Sequence, residues 1–334
     1  MKAVIINKFG DLEGSNIKTG LDIPIPGRNE VLIKVRAAGV NRPDILQRQG
    51  LYKVPNDASP IMGLEVSGEI VETGKDVTKK NLGESVCALV PGGGYAEYVV
   101  TNEAHCLPIP KGLSIEEAAG LCECLFTVWI NMMKLGQLKE KEIFLVHGGS
   151  SGIGMFAIQL AKQLGATVLT TVKNKEKSDF CYSLGADEVV KYSVEDFHNI
   201  FKREMEGGAI DLILDMIGGD YFEKNIDLLS VEGRLVSIAF LKGSSVKLDL
   251  GQLMMKRIHL TGSTLRPRSV EFKSQIAGEL REFVWPLLDS EKVKKFSQKV
   301  NKYKCIPDIA VSYTHLRAHE TGRNLVCRLL LEKK

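Results

Sequence analysis

Between Val146 and Gly154 the chain reads VHGGSSGIG, four glycines in nine residues directly after an apolar run. Gly149, Gly152 and Gly154 leave bare backbone where a strand would turn into a helix. A pyrophosphate could come close to such amides, and the partial positive charge of a helix N-terminus would face it. Tight strand-to-helix turns also use glycine for geometry alone, so the loop by itself leaves both readings open. Roughly 20 residues further on, an NAD site would end its second strand near an acid that holds the ribose 2′-hydroxyl. Here the strand Val168 to Val172 runs into Lys173-Asn174-Lys175-Glu176-Lys177, and three lysines stand in that place. A 2′-phosphate carries about two negative charges and would be drawn to them, which favours NADPH over NADH. A merely solvated turn is the bland alternative.

Other reactive residue types form no comparable pattern. Seven cysteines, at 87, 106, 122, 124, 181, 305 and 327, are an odd number without framework spacing and read as free thiols of a reducing, cytoplasmic compartment. Cys122 and Cys124 make a C-x-C pair without partners, which reads as packing. His147 stands at a strand end, where a structural hydrogen bond is the expected role. Ser151 has neither a base nor an orienting acid at a recognisable spacing, so nucleophilic catalysis finds no support. His315 and His319 lie four apart without a third ligand.

The elements that would carry these residues follow two grammars. Up to about residue 120 short strands are cut by Gly and Pro: KAVIIN, EVLIKVRAAGV, LEVSGEIVETG, ESVCALV and YAEYVV. Along Val31 to Arg36 the apolar side chains fall mainly on odd positions, the period of a strand buried on one face. From about Leu121 strands alternate with helices, and EIFLVHG, ATVLTTV, DEVVKY, IDLILDMIG, GRLVSIAF and IHLTGSTL give the six parallel strands of a Rossmann sheet. Ala157, Leu160, Ala161 and Leu164 at i, i+3, i+4 and i+7 define one sheet-facing stripe of a helix that Gly165 closes. Composition agrees with a globular chain of about two domains, since 334 residues are 44% hydrophobic and 25% charged. The first residues lack the apolar core of an export signal, and no apolar run approaches the roughly 18 residues of a membrane span. With a net charge of +3 and no basic stripe, a dedicated nucleic-acid surface is not expected.

The segments NRPDILQRQGLY, MGLEVSGEIVETG, PGGGYAEYV, LFTVW, LVHGGSSGIG, AIQLAKQLGA, YSLGAD, ILDMIGGDYFEKN and LLSVEGRLVSIAF resemble, in order, the zinc-independent quinone oxidoreductases of the medium-chain dehydrogenase/reductase superfamily, near their tumour-suppressor-inducible branch. The resemblance implies an α/β chain: a GroES-like β domain in residues 1–121, a Rossmann NADPH-binding domain in 122–266, and a return to the first domain in 267–334. It also implies a homodimer joined through IHLTGSTL. Zinc-dependent relatives ligate their metal through a Cys and a Gly-His-Glu triplet. Asn41 and the triplet Gly63-Leu64-Glu65 stand there instead, and no zinc set can be assembled. By the same resemblance Ser151, Gly152 and Ile153 meet the pyrophosphate, Asn174, Lys177 and Tyr192 the 2′-phosphate, and Thr127, Phe240, Leu265 and Arg266 the nicotinamide side. Asn41 and Tyr52 are the catalytic candidates, able to hydrogen-bond a quinone oxygen or the nicotinamide, and Asp44 reads as ionic trim. The implied reaction is hydride transfer from NADPH to a small quinone, which needs no Lewis acid because its product is a stabilised aromatic anion. An enone or alkenal reductase on the same scaffold, or a non-catalytic NADPH-binding structural or RNA-binding protein, stays open. The likeness ends at Ala310. From 311 to 334 the sequence departs from the family, whose closing strand would otherwise finish the first domain.

Overall fold

The computed structural model describes residues 1–205 and 210–293, together with the backbone of a short strand at 325–327. The tail reading from 311 onward, with His315 and His319, otherwise lies outside the described residues.

The first lobe is an antiparallel sheet built on one long strand, Glu30–Val40. It pairs with Glu65–Thr73, with Tyr98–Asn102 and with Leu325–Cys327, while Ser85–Leu89 and Cys106–Pro108 extend the sheet beyond Glu65–Thr73. A ribbon of Ala3–Ile6 and Ser15–Lys18 lies beside it, Ala3 bridging to Ala96. The alternation expected on the long strand holds from Ile33 to Arg36 and then stops, because Ala37 to Val40 are all buried. Ala37 packs on Ala119 beneath the short helix Ile115–Ala118, so this end of the strand is covered on both faces.

The second lobe carries the six parallel strands in the order 188–191, 167–172, 143–147, 210–215, 229–237, 259–262. That is the doubly wound order, with its switch point between Ile143–His147 and Ile210–Asp215, where ligands bind at the carboxyl ends of such strands. The helix Gly152–Leu164 begins where the Ser151 hydroxyl accepts the Gly154 N–H at 3.0 Å, and Gly165 ends it with φ 88°. Its burial is wider than one stripe. Every residue from Met155 to Ala161 is buried, because the helix is wedged between the sheet and the helix Cys122–Trp129, while Leu164 is only half-buried.

Cys122–Trp129 lies at the join of the lobes. One apolar cluster unites Cys87, Leu89 and Leu107 of the first sheet with Phe144, Val146 and Val168 of the second through Cys122, Leu125 and Phe126. Burying that many large side chains across the junction, at about 25 cal/mol per Å² of apolar surface, is what holds the lobes together. Ile115–Leu135 has the length and mean hydropathy of a spanning helix, but Glu116, Glu117, Glu123 and Lys134 interrupt it and 67% of its most apolar window is buried inside the fold, as in a core helix.

Candidate active site

The glycine loop is shaped first by packing. A Cβ at Gly149 would lie 2.2 Å from Thr170 Oγ1, one at Gly154 would lie 2.4 Å from the Gly148 carbonyl oxygen, and Gly148 itself has φ 72°. Strand, turn and helix therefore close on one another more tightly than any side chain permits. Gly154's N–H is taken by Ser151, whose hydroxyl in turn donates to Met216 Sδ over a long 4.0 Å, a weak acceptor that a phosphate oxygen could replace. The N–H groups of Gly152 and Ile153 open the helix, where the backbone supplies no acceptor. The three residues expected at a pyrophosphate thus stand side by side at one helix start with donors to offer, and the residues present fit a dinucleotide.

Asn174 caps the helix Lys175–Ser183 by accepting the Lys177 N–H at 3.1 Å. Lys173 and Lys175 are exposed, whereas Lys177 is 7% exposed and packs near Cys181, which is not the surface of a merely solvated turn. The Tyr192 N–H donates to the Val172 carbonyl at 2.9 Å, and Ser193 Oγ donates to the Lys173 carbonyl. Asn174, Lys177 and Tyr192 are accordingly gathered at the ends of two neighbouring strands, beside the glycine loop.

A second group lies between the lobes. Arg266, 6% exposed, follows the last parallel strand and reaches into the first lobe. Its Nε donates to the Pro91 carbonyl at 2.7 Å and its Nη1 to Gln47 Oε1 at 2.8 Å. Its guanidinium carbon is 5.6 Å from the Tyr52 ring centre. Nη2 is buried with no partner among the described residues. The Tyr52 phenol is pushed up to about 12, first by burial and then by Glu123, so it stays protonated. Beside Tyr52 opens a cavity of about 590 Å³, walled by Ile5, Ile6, Phe9, Val54, Pro60 and Ile61.

Asn41 begins the helix Arg42–Arg48 and is 8% exposed. Its Nδ2 donates to Glu65 Oε1 at 2.8 Å, and Glu65 Oε2 accepts the Glu123 N–H at 2.9 Å. One N–H of the Asn41 amide is therefore committed to Glu65. Asp44 is not ionic trim. At 2% exposure it accepts from the Asn41 N–H at 2.8 Å, the Tyr95 hydroxyl at 3.0 Å and the Gly63 N–H at 3.1 Å, a keystone of the loop rather than a surface charge. Burial pushes Asp44 up to about 6, Glu65 up to about 7 and Glu123 up to about 8, and repulsion among the three carboxyls adds to the last two.

Not every expected residue joins these groups. Leu265 is 9% exposed and packs its side chain into the interlobe cluster, while Phe240 is 53% exposed against the Gly218 turn. Thr127 is half-buried on the helix Cys122–Trp129. His147 is fully buried between Thr171 Oγ1 at 3.0 Å and Asn225 Oδ1 at 2.8 Å, the structural role expected of it. Cys122 and Cys124 are buried packing. Leu64, 2% exposed, and the engaged amide of Asn41 offer no zinc ligands, and among the described residues no three His, Cys, Asp or Glu are placed to hold a metal. Gln47, Glu65 and Glu123 were missed by the sequence reading. The one available signal was a lone acid four residues before Thr127 inside an apolar helix.

Two family models match this architecture: the alcohol dehydrogenase GroES-like domain over residues 27–111 and the zinc-binding dehydrogenase over residues 152–280. The quinone oxidoreductase of Pseudomonas aeruginosa is 33% identical over 245 residues, covering 72% of this chain and 74% of that protein. The Sus scrofa quinone oxidoreductase is 28% identical over 310 residues, 90% of this chain and 94% of that one. Among solved structures, Escherichia coli quinone oxidoreductase complexed with NADPH matches with a TM-score of 0.86 at 25% identity, over 98% of this chain and all of that one. Fold and site together define a medium-chain dehydrogenase/reductase. Within that superfamily the chain belongs to the quinone oxidoreductase branch.

Proposed function

We propose that this protein is an NADPH-dependent oxidoreductase whose substrates are small quinones, reduced by direct hydride transfer without a metal. Bound NADPH supplies the hydride. Gly152 and Ile153 N–H and the Ser151 hydroxyl would hold its pyrophosphate, Asn174, Lys177 and Tyr192 its 2′-phosphate, and Thr127, with the segment Leu265–Arg266 and Phe240, would flank the nicotinamide. Domain limits at 121 and 266 accord with the two sheets and with helix Cys122–Trp129 at their join. The buried, free thiols Cys87, Cys106, Cys122, Cys124 and Cys181 support a reducing, cytoplasmic setting. His259–Gly262, largely exposed at the sheet's edge, supports a homodimer.

The observation that carries the substrate assignment is Arg266. Its Nη2 N–H, buried and unpartnered among the described residues, offers a fixed positive charge to an oxygen that gains electron density during reduction, in a site where low dielectric makes that help large. The adjoining cavity has a mainly apolar wall suited to a flat ring, with Gln47 and Tyr52 at its polar end. Calorimetry of NADPH and NADH binding, followed by turnover on a quinone panel and an alkenal panel, tests the reading. NADPH binding with turnover of quinones above alkenals is expected. Turnover confined to alkenals would move the protein to enone reduction, and binding without any turnover would make it a non-catalytic binder.

A further inference from the structure

The helix Cys122–Trp129 is buried everywhere except at Glu123 and Thr127, which are half-buried and lie one turn apart on the same face. The remaining positions are enclosed in the interlobe cluster, and Glu123 lies within electrostatic reach of Asp44, Glu65, Arg266 and Tyr52, the groups gathered between the lobes. Glu123 is pinned at its backbone: its N–H is held by Glu65, which also holds Asn41. Its own carboxyl accepts and donates no hydrogen bond among the described side chains. The charged and titratable groups that bear on it are Glu65 from the strand Glu65–Thr73, Asp44 from the helix Arg42–Arg48, Arg266 after the last parallel strand, Lys273 from the helix Val270–Glu279, and Tyr52, whose phenol in turn feels Glu123.

Resting on the quinone-reductase reading above, we infer that Glu123 is a catalytic acid that delivers the proton to the oxygen of the reduced substrate. NADPH provides a proton and two electrons as hydride. The quinone becomes a hydroquinone monoanion, the Glu123 O–H bond breaks as a new O–H bond forms on the anionic oxygen, and the resulting carboxylate recovers its proton from water. One NADPH, one quinone and one proton give one NADP⁺ and one hydroquinone. The neighbouring acids and burial keep Glu123 protonated up to about 8, so the proton is in place at neutral pH. Tyr52 is a weaker acid, near 12, and is suited to holding the oxygen rather than releasing a proton to it.

The test is E123Q, which keeps size and hydrogen-bonding capacity and removes the transferable proton. In the wild type kcat/KM is expected to be level at neutral pH and to fall tenfold per pH unit above about 8. In E123Q the rate is expected to fall about 100-fold or more and the alkaline limb to disappear, while E123D retains a limb at reduced rate. Infrared spectra of the cofactor-free protein give a second readout: among the protonated-acid carbonyl bands, the one that titrates near 8 is lost in E123Q, while those of Glu65 and Asp44 titrate at lower pH. Should E123Q fail to fold, the E123D profile and the wild-type band titrating with the alkaline limb decide. E123Q turning over at the wild-type rate with its limb intact, a limb abolished by Tyr52→Phe instead, or no acid band assignable to Glu123 would each overturn the assignment. A wild type that binds NADPH yet reduces no quinone defeats the activity reading itself, and is told apart because the infrared band persists.

Discussion

Replacing Gly149 by alanine puts a number on how tightly the nucleotide loop is built. The added Cβ would lie 2.2 Å from Thr170 Oγ1, 2.9 Å from Thr170 Cγ2 and 3.0 Å from Cys181 Sγ. Thr170 is fully buried, and its hydroxyl donates to the Val146 carbonyl at 2.7 Å. If the threonine turns away, a buried hydrogen bond is lost at about 1–3 kcal/mol. If the loop shifts instead, overpacking costs a similar ~1–3 kcal/mol. G149A is thus expected to lose about 1–3 kcal/mol by either route, a large part of the roughly 5–15 kcal/mol that holds a typical domain folded. Urea unfolding of G149A, T170A and the double variant measures this. Because T170A removes both clashing atoms, the double variant should be less damaged than the sum of the singles by about 1 kcal/mol or more. A single variant within about 0.5 kcal/mol of the wild type, or strict additivity in the cycle, would refute the packing argument.

Lys177→Met keeps most of the side-chain volume and removes the cation; NADPH affinity, read by calorimetry, should drop about tenfold while NADH affinity stays. Arg234 donates to Glu142 through Nη1 at 2.9 Å and Nη2 at 2.5 Å and to the Gly136 carbonyl through Nε at 2.8 Å. Arg234→Met should cost about 1–3 kcal/mol at neutral pH in a denaturation assay. The pair holds the Glu142 carboxyl below its ordinary 4.5, so its stabilisation is complete above that value and fades as pH falls through the folded-state value, and the gap between R234M and wild type should narrow in acid. Asp44→Ala strands two buried donors, the Asn41 and Gly63 N–H groups, takes one acceptor from the Tyr95 hydroxyl, which keeps the Gly39 carbonyl at 3.3 Å, and should cost about 2 kcal/mol or more by the same assay.

What the sequence made legible was what the chain settles locally. The six parallel strands, the helix from Gly152 to its Gly165 stop and the lysine-rich turn could be read because each is marked by periodicity or by glycine within a few residues. Ser15–Lys18 escaped notice because it is mostly exposed and has no apolar period, and Cys106–Pro108 because its proline reads as a break. The crevice was harder. Glu65 meets the Glu123 amide across 58 positions, and Arg266 meets Gln47 across 219. No spacing rule reaches so far. Asp44 was misjudged for the same reason: an acid at the third position of a helix reads as an ordinary cap, and only the folded chain brings Tyr95 and Gly63 against it.

Arg266 also indicates what would poison this protein. Gly92 lies so close that a Cβ there would come within 3.0 Å of Nη2, which makes this corner a slot that admits little besides an acceptor atom. Small planar aromatic carboxylates carry such an atom on a flat frame and cannot take up a hydride. They should act as dead-end competitors of the substrate, and their grip should weaken with added salt less than that of a surface-bound anion, because the cation they meet lies out of the reach of screening ions.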